Sequence, residues 1–241
     1  MSEVRITVLV DDLNGTKTGF QKSYGFSALI EVDKKLILFD VGTKPTPLIS
    51  NIKTYGIKPA SIDGIILSHN HYDHTDGLVG ILRDSSDVPV YVHKDWDLPA
   101  SFKGFQIPQR NRITIQEASV CDSLSKNIYL TNSYYAPDYG GVYEHACYVK
   151  SKNSYILICG CCHPGLNKFL NDRSPLGISE DASLEILGGM HAFRFTEKEA
   201  AMLRPNINSI TLFHCTSHTE VFKNQFGDKC RIGIVGKTMR F

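Results

Sequence analysis

The chain has 241 residues, of which 42% are apolar and 21% charged, with a formal net charge of +1. That length buries one substantial core or two small ones, and the near-neutral balance lacks the basic surplus of a nucleic-acid binder. No segment approaches the ~20 apolar residues of a membrane span, and "MSEVRITVLVDD" at the N-terminus has acidic residues where a signal peptide has a long apolar run.

Short β-branched runs fill the first third. Residues 4–12, 25–32 and 35–42 read as strands, with "DKK" at 33–35 turning the chain between the last two. Residues 46–56 suit a helix stopped by Gly56. The apolar run "IDGIILS" (62–68) has the length of a strand and leads into "HNHYDHTDG". A helix over about 76–83 and a strand at 89–93 follow, then a mixed segment, 94–127, broken by Pro and Gly.

In the second half, 146–151, 154–160, 183–189, 209–214 and 232–236 read as strands, and 165–172 and 196–204 as helices. The second of these helices opens with Thr196 and Glu199 at capping-box spacing and stops before Pro205. No repeat is visible. The expectation is a single α/β domain over residues 1–241, made of two similar halves with their seam near 131–145.

The seven cysteines are odd in number and irregularly spaced, in a chain too long to need a disulfide framework. Three crowd into "ICGCCHPG" (Cys159, Cys161, Cys162), which reads as site chemistry rather than cross-linking. A reduced, cytoplasmic protein acting on a small molecule, with no membrane or nucleic-acid partner, is expected.

The chemistry is concentrated in His69, His71, Asp73 and His74. On a strand continuing from "IILS", His69 and His71 would face one side and grip one ion together. Asp73 and His74, past the strand end, can turn toward a second ion, and Asp76 can cap the helix that follows. Imidazole and carboxylate suit zinc and related first-row metals. Two ions ~3.5–4 Å apart are a hydrolytic device that supplies a bridging hydroxide at neutral pH.

The stretch "LSHNHYDHTDGL" resembles the signature of the metallo-β-lactamase fold superfamily, and "LILFDVG" its strand ending in Asp-x-Gly. The blocks "GFSALIE", "GCCHPGLNKFL", "LGGMH" and "LFHCTSH" resemble the branch of dihydropterin ribofuranosyl-aminobenzene phosphate synthase-like metallohydrolases. The resemblance implies an αββα sandwich of two mixed β-sheets with outer helices and metals at one edge. It places His69 and His71 on the first ion, and Asp73, His74 and His214 on the second.

Where the superfamily's bridging aspartate would stand, this chain has Cys161, either a thiolate ligand or a small buried residue. His163 is the choice for the missing ligand of the first site, with His145, which precedes a strand, as its rival. Asp40 is expected to accept a hydrogen bond from a ligand histidine. His191, in "GGMH", is expected to contact substrate or donate a proton to the leaving group, whereas His93 and His218 are expected to take no part. Asp11 and Asp12 end the first strand near the pocket. Tyr134, Tyr135, Tyr139 and Tyr143 form either a lid over a flat ring or a cover for neighbouring surface, the second being preferred.

The function expected is a hydrolase with two divalent ions, zinc ahead of manganese or iron, acting on a small anionic ester or phosphoester of a pterin-related kind. Asp73 orients the nucleophile. The alternatives are a di-iron redox enzyme of the same fold, which would usually carry a flavin domain, and a protein with a structural metal, which would favour closed, Cys-rich sites.

Overall fold

The structure is a computed structural model that describes residues 3–98 and 100–241, apart from the side chain of Tyr139. The first sheet begins with β1 (Arg5–Val10), β2 (Ser27–Val32) and β3 (Lys35–Phe39). Asp33 and Lys34 turn β2 into β3 with φ of 51° and 64°, the left-handed pair that a two-residue hairpin needs. Helix α1 (Pro45–Tyr55) follows and ends at Gly56, whose φ of 96° closes the helix on the carbonyls of Ile52 and Lys53. Then come β4 (Gly64–Ile66), the single turn α2 (Tyr72–Thr75), α3 (Leu78–Asp84), β5 (Val90–His93) and β6 (Arg112–Ile115).

The second sheet collects β7 (Ser119–Val120) and β8 (Ile128–Leu130); the hairpin β9 (Tyr134–Ala136) and β10 (Val142–Glu144) stands apart from it. The sheet continues with β11 (Cys147–Lys150), β12 (Tyr155–Cys159), α4 (Leu166–Asn171), β13 (Leu184–Gly188), α5 (Glu197–Leu203), β14 (Ile207–Leu212), α6 (Thr219–Phe226) and β15 (Cys230–Ile232). The last strand, β16 (Thr238–Arg240), crosses back to the first sheet beside β1.

Both sheets are mixed, in the orders β16-β1-β2-β3-β4-β5-β6 and β15-β14-β13-β12-β11-β8-β7. Strands β3 to β6 run parallel, as do β12 to β15, and the rest pair antiparallel. Alternation divides the apolar residues between layers. Ala28, Ile30, Ile156 and Ile158 meet in the core between the sheets. Leu29 joins the layer that includes Leu48 and Ile52 of α1 and Ile81 of α3, and Leu157 the layer with Phe169, Ala200 and Phe222 of α4, α5 and α6. The result is the expected αββα sandwich.

Several expectations shift in detail. The chain passes between sheets at residues 116–118, ahead of 131–145, because that segment is spent on the β9–β10 hairpin. Strand β4 stops at Ile66, so His69 and His71 are not on its continuation. Asp76 does not cap α3: its Oδ1 instead accepts the Phe105 N–H at 2.7 Å. The strand expected at 232–236 lies earlier, at β15, and β16 was not anticipated. The Thr196–Glu199 capping box is formed. Among the described residues, no helix is long and apolar enough to cross a membrane.

Candidate metal centre

The site lies past the C-terminal ends of the parallel strands, where backbone ends and loops converge. The His-rich loop is tied there by backbone bonds to the Asp40-Val41-Gly42 turn after β3 and to Phe26, just before β2. Val41 N–H donates to His74 O at 2.9 Å, Gly77 N–H to Gly42 O at 2.9 Å, and Phe26 N–H to Asp73 O at 3.3 Å. Gly77 belongs there because a Cβ would collide with the Val41 carbonyl. His71 takes extended backbone as the residue before α2, and this corner brings its ring to 4.7 Å from that of His69.

Among the described residues, five three-residue groups have ligand atoms mutually within 4.8 Å; two of them are His69, His71 and His163, and Asp73, His74 and His214, while Asp138, His163 and His191 form another. Cys161 stands between the first two, grouped with His69 and His74 on one side and with His214 and Cys215 on the other. His163 thus completes the first group. His145 joins no such group among the described residues; its Nε2–H donates to Leu67 O at 2.9 Å and its ring packs 5.3 Å from that of His93.

The histidines of these groups are oriented from behind, the arrangement that fixes tautomer and ring direction in metal sites. His74 Nδ1 donates to Asp40 Oδ2 at 2.7 Å. His214 Nδ1 meets Asp12 Oδ1 at 2.5 Å, and the His214 N–H donates to Asp11 Oδ1 at 2.5 Å. His163 Nδ1 meets Asp138 Oδ2 at 3.1 Å. Ser68 Oγ donates to Asp40 Oδ2 at 2.7 Å, so its single proton is used and it must accept from His69 Nδ1 at 2.8 Å.

A metal fits what remains. Among the described residues, the Nε2 atoms of His69 and His71 are buried without a hydrogen-bond partner, a costly state for a polar atom unless something else satisfies it. With Nδ1–H given to Asp12, the Nε2 lone pair of His214 points at Asp73 Oδ2 only 3.1 Å away. Two acceptors at that distance need a proton or a cation between them. Burial works to lower the His214 pKa, but its bonds to Asp12 and Asp73 raise it to about 10. Burial lowers His71 to about 4 and His163 to about 3, so both are neutral and able to ligate at pH 7.

Sequence reasoning missed the residue that joins the two halves of the site. Glu144, at the end of β10, pairs by backbone with His69. Its buried carboxylate accepts the N–H groups of Cys161, Cys162 and His163 at 2.9, 2.8 and 2.7 Å. Burial raises Glu144 to about 7, with those N–H groups holding it down. Backbone strain collects here too: Asp40, Cys162, His191 and Cys215 all take positive φ, a conformation that non-glycine residues keep only where surrounding structure holds them.

A cleft of about 360 Å³ opens onto the centre, lined by His71, Asp73, Cys161, His163, His191, Cys215, Ser217 and the aromatic side chains Tyr24, Tyr72 and Phe102. His191 Nδ1 lies 3.5 Å from Asp138 Oδ2. His218 precedes α6 and joins none of the groups. Among the described side chains of the tyrosine segment none lines the cleft: Tyr134 bonds Asp172 and packs on Phe169, and Tyr135 packs on Tyr143. The Tyr139 side chain lies outside the described residues.

Residues 22–141 match the metallo-beta-lactamase superfamily. A relative from Methanocaldococcus jannaschii, 7,8-dihydropterin-6-methyl-4-(beta-D-ribofuranosyl)-aminobenzene-5'-phosphate synthase, is 26% identical, with 100% of this chain and 98% of the relative covered. Exodeoxyribonuclease WalJ of Streptococcus pneumoniae is 33% identical over 75 residues, 31% of this chain and 28% of its own. A solved metal-dependent hydrolase of the beta-lactamase superfamily shares the fold with a TM-score of 0.72 at 21% identity, covering 98% of each chain.

Proposed function

Because the chain belongs to the metallo-β-lactamase superfamily, we propose that it is a metal-dependent hydrolase with a dinuclear centre, zinc being the favoured ion. The observation that carries this reading is the pair of ligand groups, His69/His71/His163 and Asp73/His74/His214, from which His71, Asp73 and His163 line one open cleft. Structural metal sites are closed, whereas a catalytic one keeps access for substrate. When bound, two divalent ions bring the pKa of a shared water toward ~7 and so supply a nucleophile at neutral pH.

The side chains divide the remaining work. Asp73, whose carboxyl is held below the usual range by His74 and His214 against the effect of burial, stays ionised and orients the nucleophile. His191 lines the cleft and delivers the proton to the departing oxygen. Burial lowers its proton affinity and Asp138 raises it, so an approaching anionic substrate helps to protonate it. Tyr24, Tyr72 and Phe102 offer ring surface to the part of the substrate that does not react.

The substrate class is a small anionic ester or phosphoester bearing a flat ring. The pterin-linked phosphate in the name of the M. jannaschii relative supports this choice. The likeness to an exodeoxyribonuclease raises nucleic acid as a second reading, but among the described residues lining the cleft there is no Lys or Arg, and phosphate backbones are gripped mainly by such cations.

Elemental analysis of the wild type beside Asp73→Ala and His163→Ala tests the centre. The expected result is close to two zinc or manganese ions per chain, each variant losing about one. Two irons would move the reading to a redox enzyme. A single ion unaffected by His163→Ala would overturn the assignment of that ligand and return attention to His145. Aryl and alkyl phosphoesters and thioesters are the substrates to screen with the metal-loaded protein.

A further inference from the structure

The proposed centre has a charge imbalance. Two divalent ions bring four positive charges, while the six ligands of the two groups include one carboxylate, Asp73, and five imidazoles. Buried charge is stabilised only by close opposite charge or hydrogen bonds. Asp12, Asp40 and Asp138 each stand one residue back, bonded to a ligand histidine. Among the described residues, the two thiols that share groups with these ligand atoms and can still become anionic are Cys161 and Cys215.

These two thiols lie side by side, Sγ to Sγ 3.0 Å, although they come from different strand ends, Cys161 after β12 and Cys215 after β14. Cys161 Sγ is also 3.1 Å from the His74 Nε2 lone pair that Asp40 leaves facing it. Neither cysteine is part of a disulfide, and both line the cleft. Cys215 is held there in a strained conformation, with φ of 57°. Its Sγ falls within 4.8 Å of the ligand atoms of Cys161 and His214.

We propose that Cys161 and Cys215 are a thiolate pair of the metal centre, Cys161 facing both ions from the position between the two ligand groups and Cys215 facing the second ion alone. The inference rests on the dinuclear reading above. On binding, each thiol loses its proton to solvent and its sulfur gives a lone pair to the metal, so two negative charges are added and no oxidant is required. Soft sulfur donors make the second position selective for zinc, cadmium or cobalt over manganese and magnesium.

Cobalt(II) is the probe, since a thiolate bound to it gives a near-ultraviolet charge-transfer band that oxygen and nitrogen ligands do not. Protein loaded with two cobalt ions per chain should show the band, and Cys215→Ser should remove about one third of it, one of three sulfur–cobalt contacts. Cys161→Ser should remove the larger share. In the wild type, zinc should also protect Cys215 from alkylation, read by peptide mass, which needs no variant to fold.

Two bound cobalt ions without the band would overturn the thiolate pair and leave the dinuclear reading standing. A band untouched by Cys215→Ser, or Cys215 alkylated equally with and without zinc, would remove Cys215 from the centre. A Cys161–Cys215 disulfide persisting in zinc-loaded protein would also overturn the proposal. Failure to bind cobalt at all would instead sink the dinuclear reading, and the pair with it.

Discussion

Asp40 and His74 meet at 2.7 Å, Oδ2 to Nδ1, with both side chains fully buried. The same carboxylate takes the Ser68 N–H on Oδ1 and the Ser68 hydroxyl on Oδ2, each at 2.7 Å. Through Ser68 it also sets the His69 ring, so one aspartate orients a histidine in each of the two groups. An Asp40→Asn side chain has one oxygen where two are needed, and its amide N–H₂ cannot accept. Metal affinity, measured by competition with a chelator, should fall roughly 10–100-fold, with the far-ultraviolet circular dichroism unchanged. Unaltered affinity would show that the ligand rings are held by packing alone.

Glu144→Gln tests the joint between the His-rich loop and the 161–163 turn. The amide replaces one acceptor oxygen with a donor that faces N–H groups. At least one buried N–H is then unsatisfied, which costs on the order of 1–3 kcal/mol. The melting temperature of the variant should drop accordingly. The same melting temperature in both proteins would mean that the turn holds its shape without the carboxylate.

His145 gives stability a pH dependence of known sign. Burial lowers its pKa from 6.5 to about 4, against the Leu67 carbonyl and the charge of Asp40. Between those values the unfolded chain binds a proton that the folded chain refuses. The contribution is therefore complete above pH 6.5 and is lost as the pH falls toward 4. His145→Gln can keep the bond to Leu67 O and does not titrate. Its unfolding free energy should depend less on pH between 7 and 4.5, by on the order of 2–3 kcal/mol. Parallel curves for variant and wild type would place the titration elsewhere.

Tyr24, Tyr72 and Phe102 are 49%, 36% and 60% exposed and gather at the mouth of the cleft. Phe102→Ala should raise KM for an aryl phosphoester roughly 3- to 10-fold, the worth of one ring contact, with little change in kcat. An alkyl phosphoester should be affected less. Equal losses for both substrates, or a loss in kcat alone, would contradict a ring-binding rim.

Short-range order was readable from the residues themselves. The spacing of His69, His71, Asp73 and His74 put four residues able to ligate a metal within one short loop, so any local conformation keeps them close. Gly56 ended its helix and Thr196 with Glu199 capped theirs, since each depends on neighbours a few positions away. The apolar runs at 25–32 and 154–160 read as strands, and β2 and β12 lie within them. The motif blocks, by resemblance, also pointed to the αββα sandwich.

What the residues could not decide was which distant groups close on that loop. His145 and His163 were both plausible on paper; strand register turns the first ring onto His93 and brings the second to His69 and His71. Glu144 carries no local signal, because its partners are backbone N–H groups 17 to 19 positions on. Cys215 was in view beside His214, but only the parallel order of β12, β13 and β14 sets its sulfur against Cys161. Contacts between neighbours in the chain follow from backbone geometry, whereas contacts between strand ends exist only once the sheets have fixed which ends lie side by side.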